Sequence, residues 1–224
     1  MKLFETINLI TGKLCITMGY TVLYQAIPEQ AQLLERLRSN KKMYCIFEAV
    51  APFSFKIFNA SEIDEIYLND ILDSEVDAEN FTSRVEAENT WKEFIAELEL
   101  AKFLYPNIAN RATNLKNCCN VIETALISEL EDVEFNTDIR VHKYIHQFTR
   151  GSEPVAVHLS HYPWYNLYFI PSLFVKEFAE ILRKIEGKYL LEKYNLSYQE
   201  EFDRWKNLYL EASLYNEALL INVI

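Results

Sequence analysis

Only four glycines and six prolines are spread through 224 residues, and this scarcity constrains the fold more than any other feature of the sequence. Turn-dense β-sandwiches and flexible linkers both need more of them. Gly12, Gly19, Gly151 and Gly187 are each isolated, so no G-x-G-x-x-G, G-x-x-x-x-G-K-[ST] or G-x-S-x-G pattern can be written. Backbone phosphate cradles and nucleophile elbows depend on those glycines, which disfavours nucleotide-dependent and elbow-type catalysis. Half of the residues are hydrophobic, enough to bury a sizeable core around several long helices.

Periodicity places the elements. Leu14–Tyr24 is apolar and rich in β-branched and aromatic residues, and reads as a strand that stops at Ile27-Pro28. Pro28 suits the first turn of a helix, and Ala31, Leu34 and Leu37 recur at helical spacing as far as Ser39. Met43–Val50 reads as a second strand, and the alternation of Phe53, Phe55 and Ile57 as a third. Ser61 and Asp64 resemble a capping box for a short helix whose apolar face is Ile63, Ile66, Tyr67 and Ile71. A longer helix shows Trp91, Phe94, Ile95, Leu98 and Ala101 and ends before Pro106. A third, with Leu115, Cys119, Ile122, Leu126 and Leu130 on one side, completes an almost wholly helical block from 61 to about 133.

Beyond it, DIRVHKYIHQFTRG (138–151) fits either element, and periodicity favours helix. Val155, Val157 and Leu159 alternate as a short strand. An aromatic loop, His161 to Phe169, then leads to an amphipathic helix from Pro171 to Ile185 that presents Leu173, Phe174, Phe178, Ile181, Leu182 and Ile185. Another helix spans about 200–215, and ALLINVI (218–224) is an apolar terminal strand.

Several blocks, in this order, resemble the YfbM-like family of bacterial proteins. They are Met18-Gly19 with YTVLYQAIPEQ behind it, RVHKYIHQFTRG, IPSLFVKEFAEILRKI followed by KYLLEKYN, and FDRWKNLYLEASLYNEALLINVI. Arg140, His142, Ile145-His146 and Gly151 fall where that family's central pattern has Lys, Trp, Leu-His and a closing Gly. His142 and Thr149-Arg150 depart from the pattern, and the block from 61 to 133 is longer than family members have there. The resemblance implies a helix that ends at Gly151. It brings no activity with it, only an association of such proteins with bacterial toxin-immunity genes. The expected fold is a single α+β domain over 1–224, with a small mixed sheet, amphipathic helices packed on it and an acidic helical insertion at about 61–133.

Charge is the other informative property. The net charge of −11 opposes binding to nucleic-acid phosphates, which need clustered Lys and Arg. Between Ser61 and Glu99 stand thirteen Asp or Glu against Arg84 and Lys92, so this segment carries the equivalent of the whole net charge. Such a field attracts a basic partner and speeds association; the plain alternative is a pair of solvated helix faces. The candidate partner-binding residues are Glu62, Asp64, Glu65, Asp70, Asp73, Glu75, Asp77 and Glu79, joined by Trp164 and Tyr165 of the aromatic loop, since Trp and Tyr are enriched at binding hot spots.

All four histidines, His142, His146, His158 and His161, fall within twenty residues, and their i, i+4 and i, i+3 spacings are compatible with a metal held between two elements. The competing reading packs His146 between Ile145 and Phe148 with its ring nitrogens satisfied. Cys118-Cys119 could be a redox pair, but adjacent helical residues point about 100° apart, and core packing is the favoured role. No apolar run approaches the roughly 20 residues of a membrane span. Glu5, Thr6 and Asn8 break any secretory signal core, and four cysteines without C-x-x-C spacing point to a reducing, cytoplasmic compartment. The expected function is therefore a non-enzymatic binding protein that needs no cofactor, an immunity or inhibitor protein for a basic partner such as a nuclease toxin. The alternative is a small-molecule or metal-binding enzyme built on the histidine cluster.

Overall fold

Val22–Ile27 and Ala218–Asn222 are buried without interruption, as strands are when both faces of their sheet are covered. The structure, a computed structural model, describes residues 7–10, 13–16, 21–50, 57–116, 118–133, 139–155, 167–193 and 198–223. Strands β1 (Ile7–Ile10) and β2 (Lys13–Ile16) pair as an antiparallel hairpin. The main sheet contains β3 (Thr21–Pro28), β4 (Ala112–Lys116), β5 (Glu153–Pro154), β6 (Leu167–Ile170) and β7 (Glu217–Val223). Its order is β4-β3-β7-β6-β5, and every described pairing is antiparallel where a mixed sheet was expected. The C-terminal strand predicted from ALLINVI thus lies at the centre, with Tyr24 opposite Ile221 and Pro28 opposite Glu217.

Alternation along the strands divides the interior into two cores. Ile27, Phe169 and Leu220 point to one side, where α1 (Gln32–Ser39), α2 (Lys41–Val50), α3 (Glu65–Asp77) and α4 (Arg84–Leu104) supply Leu37, Phe47, Ile71 and Phe94. Tyr24, Leu219 and Ile221 point to the other. There α5 (Cys119–Val133), α6 (Ile139–Arg150), α7 (Ser172–Lys184), α8 (Gly187–Lys193) and α9 (Gln199–Tyr215) supply Leu126, Phe148, Phe178, Leu190 and Trp205. The fold is α+β, an antiparallel sheet with helices on both faces.

Several expectations change. Met43–Val50 is helix α2 and not a strand. Met43, Tyr44, Cys45, Ile46, Phe47 and Val50 are all buried, and a short unbroken apolar run such as Met43–Phe47 cannot be told from a buried strand by pattern alone. Its start was marked by Asn40, whose side-chain oxygen accepts from Met43 N at 3.1 Å. Ile57 opens a 3-10 turn, Ile57–Glu62, while Phe53 and Phe55 lie outside the described residues. Pro28 ends β3, and α1 begins only at Gln32, after a turn in which Ala31 N donates to Pro28 O at 2.9 Å. The cap of α3 is Asp64, which accepts from Ile66 N at 2.8 Å, and Ser61 belongs to the preceding 3-10 turn. Leu115 lies in β4, so the 61–133 block is not wholly helical and contributes an edge strand to the sheet.

The predicted α4 buries Phe94, Leu98 and Ala101 and stops before Pro106 as expected. In α7 the inward face is Val175, Phe178, Ala179 and Leu182, whereas Leu173 and Phe174 are exposed. Helix α6 ends at Gly151, which has φ +100°, and its last carbonyls are satisfied from two elements. Tyr24 of β3 donates to Thr149 O, and Tyr209 of α9 donates to Phe148 O. The segment expected as the strand of Val157 and Leu159 lies outside the described residues, but Val155 N donates to Leu167 O beside β5.

Candidate functional site

A 3.6-residue period over α3 puts Leu68, Ile71, Leu72 and Val76 inward. Ile66 and Tyr67, expected on the buried face, are instead 70% and 57% exposed. Ile66, Asp70, Asp73 and Asp77 then fall within about 60° of arc on the solvent side, at roughly 100° per residue. Glu62, Asp64, Glu65 and Glu79 are exposed as well, the last in the left-handed turn (φ 59°) that ends the helix. Glu75 turns inward. It is half-buried, accepts from Asn80 Nδ2 at 2.9 Å, and burial raises its carboxyl above the usual range, as burial and Glu75 do for Glu48 of α2.

Several cations of α1, α2 and α4 are engaged in ion pairs, between helices or within α4. Arg84 bonds Glu88 at 3.0 Å and Asp73 at 2.5 Å, tying α4 to α3. Lys42 pairs with Glu86, Arg36 with Glu97 at 3.3 Å and Lys102 with Glu99 at 2.8 Å. Lys42 and Thr82 hold the Glu86 carboxyl down to about 2. The negative surface that remains is the outer side of α3 and the turns around it.

Of the four histidines, only His146 has a described side chain. His146 is exposed and not packed between Ile145 and Phe148 as expected, because the α6 phase that buries those two turns it toward α5, where its Nδ1 lies 2.9 Å from Glu123 Oε1. Glu123 also accepts from Arg150 Nε at 3.2 Å. Burial opposes ionisation there, but the bond to His146 and the charge of Arg150 prevail and hold this carboxyl below its usual range. The backbone of α6 carries His142, while His158, His161, Trp164 and Tyr165 lie outside the described residues. Among the described residues no group of three or more His, Cys, Asp or Glu could hold a metal ion. Cys118 and Cys119 are buried thiols pushed by burial to about 12 and about 11, which suits core packing. Tyr168 and Phe169 of the expected aromatic loop belong to β6, and the Arg38 guanidinium sits 4.4 Å over the Phe169 ring. No helix of the described residues is long and apolar enough to cross a membrane.

One constellation carried no sequence signal. Arg111, just before β4, meets Glu217, the first residue of β7, with Nη1 2.9 Å from Oε1 and Nη2 2.6 Å from Oε2. The Glu217 side chain is 7% exposed and that of Arg111 13%. Tyr215 stacks 4.6 Å over the guanidinium. The pair floors an open pocket of about 590 Å3 between the end of α4 and the corner joining α9 to β7. Burial pushes the Glu217 carboxyl up to about 7, Arg111 pulling it down and Glu211 adding to the rise. Protonation of Glu217 therefore favours the folded state. That contribution is complete below the ordinary carboxyl range near 4.5 and is lost as pH rises through about 7. Urea melts should show stability falling between pH 5 and 8 by at most roughly 2 kcal/mol from this group, and Glu217→Gln should flatten the slope. An equal slope in the variant would remove Glu217 as its source.

Among protein families, curated proteins and solved structures, none matches this chain.

Proposed function

We propose that this protein is a non-enzymatic binding protein of YfbM-like kind, acting as an immunity or inhibitor protein whose α3 surface receives a basic partner such as a nuclease toxin. The observation that carries the proposal is the outward ridge of Ile66, Asp70 and Asp77 beside exposed Tyr67, with Glu62, Asp64, Glu65 and Glu79 exposed around it and Asp73 of the same ridge paired with Arg84. Apolar and aromatic anchors within a field of one sign are what an electrostatically steered interface uses. The end of α6 at Gly151 supports the kinship, and the absence of glycine-flanked nucleophile and phosphate motifs supports the non-enzymatic reading. The histidine-based alternative has one of its four residues, His146, engaged by Glu123.

Glu65, Asp70 and Asp77 are exposed on one helix, so their replacement by Lys should leave the fold intact. Against a panel of purified, inactivated basic nuclease toxins, the partner that binds the natural protein should lose at least about a hundredfold in affinity for the triple variant Glu65→Lys/Asp70→Lys/Asp77→Lys. Tight binding that survives the triple substitution would move the interface elsewhere.

A further inference from the structure

The pocket above Arg111 and Glu217 has properties that a purely structural ion pair does not require. Its mouth is apolar and exposed, with Leu104 57% and Tyr215 66% accessible and exposed Pro106 beside them, while buried Pro28 lines the inner side. Its floor holds a buried cation whose donors are incompletely used. Arg111 Nε makes no hydrogen bond, and Nη2, though 2.6 Å from Glu217 Oε2, makes no aligned one; together they form the edge of the guanidinium that fits a carboxylate. The amides of Gln30 and Asn107 line the same space, and its volume lies in the range typical of small-molecule sites.

We propose that this pocket binds a small organic acid with an apolar body, its carboxylate on the Arg111 guanidinium and its hydrocarbon or aromatic part against Leu104 and Tyr215. An ammonium would meet the Arg111 guanidinium with like charge, and the one Glu217 oxygen without an aligned bond, Oε2, lies 2.6 Å from that guanidinium. A neutral amide would gain the apolar contacts without the charge-assisted bonds. The Tyr215 ring over the guanidinium is the cover that turns aside on entry, and its exposure gives it room.

A bound carboxylate puts two negative groups on one guanidinium, and uptake of one proton by Glu217 restores the balance. The charged groups around Glu217 decide whether that proton is available near neutrality. Arg111 opposes uptake, and Glu211 of α9 favours it. Glu29 at the end of β3 is bonded by Ser172 Oγ at 2.6 Å, and Lys176 of α7 donates to Asn216 at 2.7 Å. With Glu217 raised to about 7, ligand affinity should increase as pH falls from 8 to 6. The site is separate from the acidic α3 surface and stands or falls without it.

Isothermal titration calorimetry of the full chain with 4-phenylbutyrate, 4-phenylbutylamine and 4-phenylbutyramide tests the proposal. The acid should saturate one site, the amine and amide should bind at least about tenfold more weakly, and the acid should tighten on the order of tenfold between pH 8 and 6. Glu217→Gln should keep the binding and lose its pH dependence. Leu104→Asp, at an exposed position where folding is not at stake, should weaken the acid at least about tenfold. No saturation by the acid at millimolar concentration, equal binding of the amine, or indifference to Leu104→Asp would overturn the assignment.

Discussion

Gly151→Ala should be among the most damaging single substitutions in this protein, with a loss of about 3 kcal/mol or more in unfolding free energy. Two effects add. At φ +100° an L side chain is strained wherever it stands, and a Cβ built on Gly151 would lie 2.2 Å from Tyr168 Cβ, far inside contact distance. The neighbour is the root of a side chain on β6, so it cannot swing away, and the end of α6 would have to lift from the sheet. That lift would also pull Phe148 O and Thr149 O from the hydroxyls of Tyr209 and Tyr24. Gly187 is a useful comparison. Its added Cβ would meet the end of the Asp203 side chain at 2.5 Å and the Phe202 ring at 2.8 Å, without a positive φ. Gly187→Ala should therefore cost less than Gly151→Ala. Urea unfolding of both variants decides the point, and a Gly151→Ala protein within about 1 kcal/mol of the natural one would contradict this account of the α6 terminus.

Trp205→Ala should cost about 3 to 5 kcal/mol, the range for deleting a large aromatic from a packed interior. Trp205 is fully buried on α9. It packs edge-on to Tyr209 at 5.1 Å, Phe178 at 5.8 Å and Tyr24 at 6.1 Å, joining two helices to strand β3. Phe178 in turn stacks on Phe148 of α6 at 4.3 Å. Removal opens a cavity bordered by rings that are held by several partners and collapse poorly. Phe103→Ala is the control, since Phe103 is 80% exposed and its loss should fall within about 0.5 kcal/mol. Denaturant midpoints for the two should differ widely, and similar values would mean that Trp205 is not where the second core is tied together.

What could be read from the sequence follows from which elements present one apolar face. Helices α4, α6 and α9 each set an apolar stripe against charge, and the 3.6 period finds them. Strand β7 is buried from Glu217 to Asn222 and mostly apolar because it ends up central, so ALLINVI reads correctly for a reason invisible in sequence, its position between β3 and β6. Helix α2 is misread because its five consecutive buried residues, Met43 to Phe47, look like an apolar strand, although Lys41, Lys42 and Glu48 lie on its outer side and Asn40 caps its start. Strand β4, with Thr113 and Asn114 in its five residues, is too short and polar to show by pattern and exists because β3 offers it an edge. On α3 the acidic residues were identified but the phase was not, because Ile66, Tyr67 and Ile71 form as plausible a stripe as Leu68, Ile71, Leu72 and Val76. The Arg111–Glu217 pair could not be anticipated, since 106 residues separate its members and neither stands in a distinctive local pattern.

Recruitment of a basic partner by charge localised on α3, as proposed above, makes the association depend on salt. For a purified basic nuclease toxin that binds, the association rate and affinity should both fall steeply between about 50 and 300 mM salt, since screening shortens the Debye length to well under 10 Å. Glu65→Lys/Asp70→Lys/Asp77→Lys should remove most of that dependence together with the affinity. Binding that is indifferent to salt, with a rate constant unchanged in the triple variant, would contradict the claim.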